Sequence, residues 1–202
     1  MPLEEDLIAQ GVWPVCGVDE AGRGPLAGPV VAAAAVLTPG CHLRSMVRDS
    51  KALSASQREA LFELLMADKD VCVGVAIVDA RTIDEINIFQ ATMLAMCRAV
   101  ADLKIMPSHA LIDGNHCPEL ACRSTAVIGG DATEPSISAA SIVAKVTRDR
   151  LMASLDITYP GYGFARHKGY PTRAHHEAIR ILGPCPIHRR SYKGVTQLQW
   201  FS

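Results

Sequence analysis

No apolar run in this 202-residue chain approaches the roughly 20 residues that a membrane helix needs, and the acidic start Met1-Pro2-Leu3-Glu4-Glu5-Asp6 offers no apolar stretch of the kind a signal peptide carries. A cytoplasmic protein with no membrane partner is expected. A disulfide framework is missing too. The seven cysteines are odd in number and scattered at positions 16, 41, 72, 97, 117, 122 and 185, which fits free thiols in a reducing compartment. A zinc site from Cys117, Cys122, Cys185 and His188 is disfavoured, because structural zinc usually comes with tighter, repeated knuckles. Repeats, low-complexity stretches and a linker are absent, and 49% apolar composition supplies a single core. One domain over residues 1–202 is expected, with a helical and loop-rich extension from about residue 156.

Net charge is nearly absent as well, at −1, which by itself argues against a nucleic-acid partner. The total hides a division. Residues 1–139 hold 10 Lys+Arg against 18 Asp+Glu, net −8, and residues 140–202 hold 10 against 3, net +7. One reading is an acidic part that holds metal ions and a basic part that holds phosphates; the other is two solvated faces that happen to differ.

What is present is concentrated in Val15-Cys16-Gly17-Val18-Asp19-Glu20-Ala21-Gly22-Arg23-Gly24-Pro25-Leu26-Ala27-Gly28-Pro29-Val30-Val31. Val15 to Val18 reads as a short buried strand ending in two carboxylates. Gly22, Gly24 and Gly28 then keep the chain free of bulky Cβ atoms, so that backbone N–H groups can approach a ligand, with Arg23 between two of them. Carboxylates beside a glycine-rich loop with one arginine point to metal ions and phosphate oxygens, since carboxylate, magnesium and phosphate are mutually hard partners. A solvated turn shaped by glycines is the plainer alternative.

Further strands are expected over Val30–Leu37, Val71–Val78, Ala110–Ile112 and Ala126–Ile128. A capping box, Ser54 with Gln57, opens a helix through about Ala67, and Lys51 stands just upstream, free to reach an anion. Thr82–Ile88 reads as a short turn or helix ahead of an amphipathic helix over Phe89–Leu103, with Asp84 and Glu85 as ordinary carboxylates near a helix N-terminus. Asp113 and Asp131, like Asp19 with Glu20, follow short strands, and in an α/β sheet neighbouring strand ends converge on one edge. A long helix over Pro135–Leu155 places Ser138, Ser141, Lys145 and Arg148 on one face, where two cations need anions opposite. Its plainer reading is a solvent-facing stripe. Thr172–Leu182 reads as one more helix. Tyr159, Tyr162, Phe164 and Tyr170 interleaved with Arg166, His167 and Lys168 form a mixture that stacks on bases and sugars.

The run from Asp19 to Val30 resembles the signature of ribonuclease HII, the bacterial type 2 ribonuclease H. The likeness extends over about residues 13–195, through Asp49-Ser50-Lys51, Ile83-Asp84-Glu85-Ile86-Asn87, Leu111-Ile112-Asp113-Gly114-Asn115, Ala139 to Arg148, His167-Lys168-Gly169-Tyr170 and Ile187-His188-Arg189-Arg190-Ser191. It implies a ribonuclease H-like α/β core, a mixed sheet flanked by helices, with a helical C-terminal extension that helps clamp the duplex. It implies that Asp19, Glu20, Asp113 and Asp131 bind two Mg²⁺ or Mn²⁺ ions. The implied reaction cuts the RNA strand of RNA–DNA hybrids, and ribonucleotide-containing duplex DNA at a single embedded ribonucleotide, leaving a 5′-phosphate and a 3′-hydroxyl. The Gly22-Arg23-Gly24 backbone, with Tyr170 stacked on the neighbouring deoxyribose, is the implied sensor of the 2′-hydroxyl that separates RNA from DNA. A monomer is expected.

Two departures stand out. Gly129 occupies a place where the family often has lysine, and Ser191-Tyr192-Lys193-Gly194 replaces the more usual Ser-Phe-x-Pro. A non-catalytic hybrid-binding module and a different metal-dependent phosphotransferase on the same core are the competing readings. At the tail, Gln197-Leu198-Gln199-Trp200-Phe201 is similar to peptides that dock on the bacterial sliding clamp, although Trp200 stands where leucine is usual. Packing of Trp200 and Phe201 on the chain's own helices is the alternative.

Overall fold

The computed structural model describes residues 2–47 and 53–195. Five strands, β1 (Val15–Ala21), β2 (Val30–Leu37), β3 (Val71–Val78), β4 (His109–Asp113) and β5 (Arg123–Val127), form one mixed sheet in the order β3-β2-β1-β4-β5. The first three are an antiparallel meander, whereas β4 joins β1 in parallel and β5 joins β4 in parallel. Helices α1 (Leu3–Ala9), α2 (Leu43–Val47), α3 (Ala55–Ala67), α4 (Ala80–Ala101), α5 (Pro135–Thr158), α6 (Phe164–His167) and α7 (Arg173–Leu182) complete the described elements, with a 3₁₀ turn over Gly130–Ala132.

Strand β2 shows why the sheet is covered on both faces. Its residues alternate between two cores: Val30, Ala32, Ala34 and Val36 pack with Ile83, Ala91, Ala95, Met96 and Ala99 of α4, while Ala33, Ala35 and Leu37 pack with Ala139, Ala140, Ile142 and Val143 of α5 and Leu61, Phe62 and Leu65 of α3. The period of two sends successive side chains to opposite faces, and alanine lets helices approach closely on each. At Gly17 of β1 the approach is closest. A Cβ there would lie 2.1 Å from the Ile137 backbone nitrogen, so only glycine lets the first turn of α5 cross β1.

Two glutamates fix that crossing. Glu4 of α1, fully buried, accepts from the Ser136 N–H at 2.9 Å in the first turn of α5 and pairs with Arg44 at 2.6 Å. Glu134 in turn accepts from the N–H groups of Leu3 and Glu4 at the start of α1. Each carboxylate occupies the positive end of the other's helix.

Helix α4 is interrupted at Asn87 (φ 66°, ψ 164°), whose Oδ1 accepts from the Gln90 N–H at 3.1 Å and recaps the second segment. The two expected segments are thus one helix with a break. The capping box of Ser54 and Gln57 is present, and Asp84 receives the N–H groups of Arg190 and Ser191, tying the C-terminal segment to α4. Past α5, Tyr162 and Phe164 are buried and stack on each other at 5.2 Å, which corrects the expectation that they face nucleic acid. They form the small core of the C-terminal part with Met152, Ala178 and Cys185.

Candidate active site

Strand β1 continues through Asp19 and Glu20, so both carboxylates lie within the strand and not after its end. The parallel pairing of Val18 with Ile112 places the next residues, Asp19 and Asp113, side by side at one end of the sheet. From the 3₁₀ turn after β5, the Asp131 N–H donates to Asp113 Oδ1 at 3.3 Å. The strand-end convergence therefore brings all four acidic residues to one edge.

The electrostatics of that edge are unfavourable for the bare carboxylates. Asp19 is 6% exposed, and its carboxyl is pushed up to about 8 by burial first and by the neighbouring Glu20 charge second, with a hydrogen bond from Ser141 of α5 opposing. Glu20 is raised as well, by burial, while Arg23, 3.3 Å from its Oε1, pulls the other way. A group of oxygen donors that repel one another in a dry place fits a hard divalent cation, whose charge would reverse the repulsion.

Beside the carboxylates opens a cleft of about 410 Å³, lined by Glu20, Gly22, Arg23, Gly24, Asp131, Ser141, Lys145 and Tyr170, together with Arg58 of α3. Lys145 pairs with Asp149 at 2.7 Å and remains partly accessible. Tyr170 is 44% exposed, and its ring lies over Gly24, where a Cβ would meet it at 3.7 Å.

The glycine loop between β1 and β2 is held from behind by two buried guanidiniums. Arg189 donates to the carbonyls of Gly22 (2.5 Å), Arg23 (2.9 Å) and Gly28 (3.0 Å). Arg148 donates to those of Pro29 (3.0 Å), Ala27 (3.2 Å) and Lys168 (3.0 Å). In a trans peptide the C=O of one residue and the N–H of the next point in opposite directions. With the Gly22 and Arg23 carbonyls turned inward, the N–H groups of Arg23 and Gly24 are turned outward. Gly22 has φ 101°, and a Cβ there would lie 2.1 Å from Arg148 Nε, so the loop requires glycine at this position.

Arg148 is thus corrected. It is 1% exposed and spends its guanidinium on backbone carbonyls instead of sharing a phosphate-facing stripe with Lys145. Burial, with Arg189 close by, holds it down to about 10. Sequence reasoning gave Arg189 no role, although it lies in one of the segments that carry the family likeness, and it did not single out Arg58. Lys51 and the tail 197–201 lie outside the described residues.

A second cluster of potential ligands, Cys41, His42 and Asp68, has its donor atoms within 4.8 Å of one another. It follows β2 at the opposite end of the sheet from Asp19, and thiol with imidazole suits softer metals than the oxygen-rich edge does.

Fold and site together define a metal-dependent nuclease built on a ribonuclease H-like sheet. The family model "Ribonuclease HII" matches residues 16–195. A ribonuclease HII of Parvibaculum lavamentivorans is 58% identical over 185 residues, 91% of this chain and 68% of that protein, and one of Burkholderia vietnamiensis is 57% identical over 182 residues, 90% and 83%. The crystal structure of ribonuclease H2 from Pyrococcus horikoshii OT3 superposes with a TM-score of 0.76 at 32% identity, covering 92% of this chain and 96% of that one. The RNase HII chain in a PCNA complex from Archaeoglobus fulgidus gives 0.74 at 27% identity, covering 89% and 95%. The chain belongs to the ribonuclease HII family. Among the described residues no helix is long and apolar enough to cross a membrane.

Proposed function

We propose that this chain is an endoribonuclease that hydrolyses the RNA strand of RNA–DNA hybrids and incises duplex DNA at single embedded ribonucleotides, with Asp19, Glu20, Asp113 and Asp131 holding two Mg²⁺ or Mn²⁺ ions. The observation that carries this reading is the convergence of the buried Asp19 with Glu20 and Asp113, whose charges oppose ionisation there, on a sheet edge that opens onto a cleft holding Asp131, Arg23, Lys145 and Tyr170. Divalent ions held by these carboxylates would supply a lowered water pKa and stabilise developing negative charge, so that no histidine base would be required; the expected products are a 5′-phosphate and a 3′-hydroxyl. Ser141, which lines the same cleft, favours the ionised form of Asp19 through its hydroxyl. The outward N–H groups of Arg23 and Gly24 recognise the ribose hydroxyl, and the exposed Tyr170 ring packs on the next sugar, because only a 2′-hydroxyl separates the two kinds of nucleotide. Lys145, at the mouth of the cleft, takes a backbone phosphate.

The deciding experiment is cleavage of a duplex containing one ribonucleotide, with and without Mg²⁺. Incision only with the metal, at the ribonucleotide, is expected; metal-independent or DNA-only cutting overturns the reading. A tail that docks on a sliding clamp through Gln197 to Phe201 is part of the same proposal, favoured by the relative solved with PCNA. A labelled peptide of residues 192–202 that fails to bind the cognate clamp at about 100 μM, corresponding to some 5–6 kcal/mol, removes that part.

A further inference from the structure

Behind Tyr170 lies a pair of histidines that the chemistry above does not use. His175 is fully buried and His188 is 2% exposed, and their Nε2 atoms are 3.0 Å apart. Their surroundings fix which nitrogen carries each proton. His175 Nδ1 lies 2.9 Å from the Tyr170 carbonyl, which can only accept, so Nδ1 is protonated and the neutral ring's Nε2 is an acceptor. His188 must then donate from Nε2, which leaves its Nδ1 to accept from the Cys185 N–H at 3.0 Å. The hydrogen bonds run in one direction, from the Cys185 N–H through His188 and His175 to the Tyr170 carbonyl.

The same histidine touches the other half of the cleft. The His188 backbone forms an antiparallel bridge to Ala27 in the glycine loop, and Gly28 N–H donates to Ile187 at 2.8 Å. Leu26 N–H donates to Gly169 at 2.8 Å, so the loop and the turn bearing Tyr170 are also joined directly. His188 therefore holds the glycine loop with its main chain and, through His175, the Tyr170 turn with its side chain. Stacking by His167 on His175 at 4.5 Å and edge contact from Phe164 at 5.5 Å fix the plane of the second ring.

We propose that His188 and His175 are positioning residues for ribonucleotide recognition, a neutral hydrogen-bond relay that sets the Tyr170 ring relative to the Arg23 and Gly24 N–H groups. This rests on the reading of Tyr170 as part of the 2′-hydroxyl sensor. Burial supports the neutral form by pushing both rings down to about 4, and the titratable groups facing the pair are His167, His176, Cys185 and Tyr162. Selectivity for a single embedded ribonucleotide over a long hybrid should then depend on the donor at the His175 Nδ1 position more than catalysis itself does. A long hybrid offers other registers when one sugar is misplaced.

The test uses the full-length enzyme and the ratio of kcat/KM on a single-ribonucleotide duplex to that on a long hybrid. His175→Leu, which removes the donor, lowers the ratio by about tenfold, the equivalent of one charge-neutral hydrogen bond. His175→Asn, whose amide donates from the Nδ1 position, restores it to within about threefold. His188→Gln, which retains the Nε2 donor, behaves like His175→Asn. Tyr170→Ala lowers the ratio, and adding His175→Leu to it lowers the ratio no further. Ring ¹⁵N spectra at pH 7 show His175 protonated at Nδ1 and His188 at Nε2. An unchanged ratio in folded His175→Leu, additive losses in the double variant, or the opposite tautomers overturns the relay. An unchanged ratio in Tyr170→Ala overturns instead the reading of Tyr170, and the role proposed for the histidines with it.

Discussion

Asp19 is a residue whose position works against its own charge. Burial and Glu20 both oppose ionisation, and Ser141 offsets only part of that. Asp19→Asn and Asp113→Asn are each expected to abolish Mg²⁺-dependent cleavage while hybrid binding, measured separately, stays near normal, since the charge that holds metal is lost and the phosphate contacts are not. Near-normal turnover in either variant removes these residues from the metal site. Arg189 works differently, through packing and hydrogen bonding. Removing its guanidinium leaves the inward carbonyls of Gly22 and Gly28 without that donor, at roughly 1–3 kcal/mol for each buried group, while the Arg23 carbonyl keeps the Tyr192 hydroxyl at 2.7 Å. Arg189→Ala should therefore lower unfolding free energy by about 2 kcal/mol or more, a large loss checked by urea denaturation. A change under about 1 kcal/mol would mean that water replaces the side chain there.

Whole elements were legible in the sequence where period and termini agreed. The valine run gave β3 to the residue, Val71–Val78, and Ser54 with Gln57 gave the start of α3. That Asp19, Glu20, Asp113 and Asp131 share one sheet edge was legible because they sit in or just after short apolar runs, a local pattern. Arg148 was misplaced because helical spacing shows which residues share a face but not what covers that face; the loop over 22–29 covers it, and that contact spans more than a hundred residues. The histidine relay and the Glu4–Glu134 exchange were invisible for the same reason. Gly17 tests how tightly the elements are set. Gly17→Ala drives a Cβ into the backbone of α5, where no flexible side chain can yield. The expected result is a fall in melting temperature of roughly 10 °C, at about 2–4 °C per kcal/mol for overpacking of about 3 kcal/mol, with loss of activity as Asp19 moves from Ser141. Native stability in Gly17→Ala would show that α5 rides freely over β1.

Across the whole molecule, the charge division from −8 to +7 maps only partly onto the site: the cations lining the cleft are Arg23, Arg58 and Lys145, and of these only Lys145 belongs to the basic part of the chain. Lys145→Ala should reduce the magnitude of the slope of log affinity against log salt by up to about one, whereas Arg148→Ala should leave the slope and lower stability, because only Lys145 reaches the cleft. The pH dependence of stability follows from the buried groups. His175 and His188 stand at about 4 folded against 6.5 unfolded, so between those values the unfolded chain binds more protons and stability falls as pH falls. Asp19 stands at about 8 folded against 3.8 unfolded, so the folded chain binds more protons in that window and stability falls as pH rises. From pH 4 to 6.5 the two effects oppose; from 6.5 to 8 the carboxylate edge acts without them. Metal-free protein should accordingly lose melting temperature between pH 6.5 and 8, and Asp19→Asn should flatten that decline by removing the proton whose loss drives it. Saturating Mg²⁺ should flatten it too, since a bound cation favours the ionised carboxylates. If scanning calorimetry finds the same decline in wild type and Asp19→Asn, the ionisation responsible lies away from the carboxylate edge.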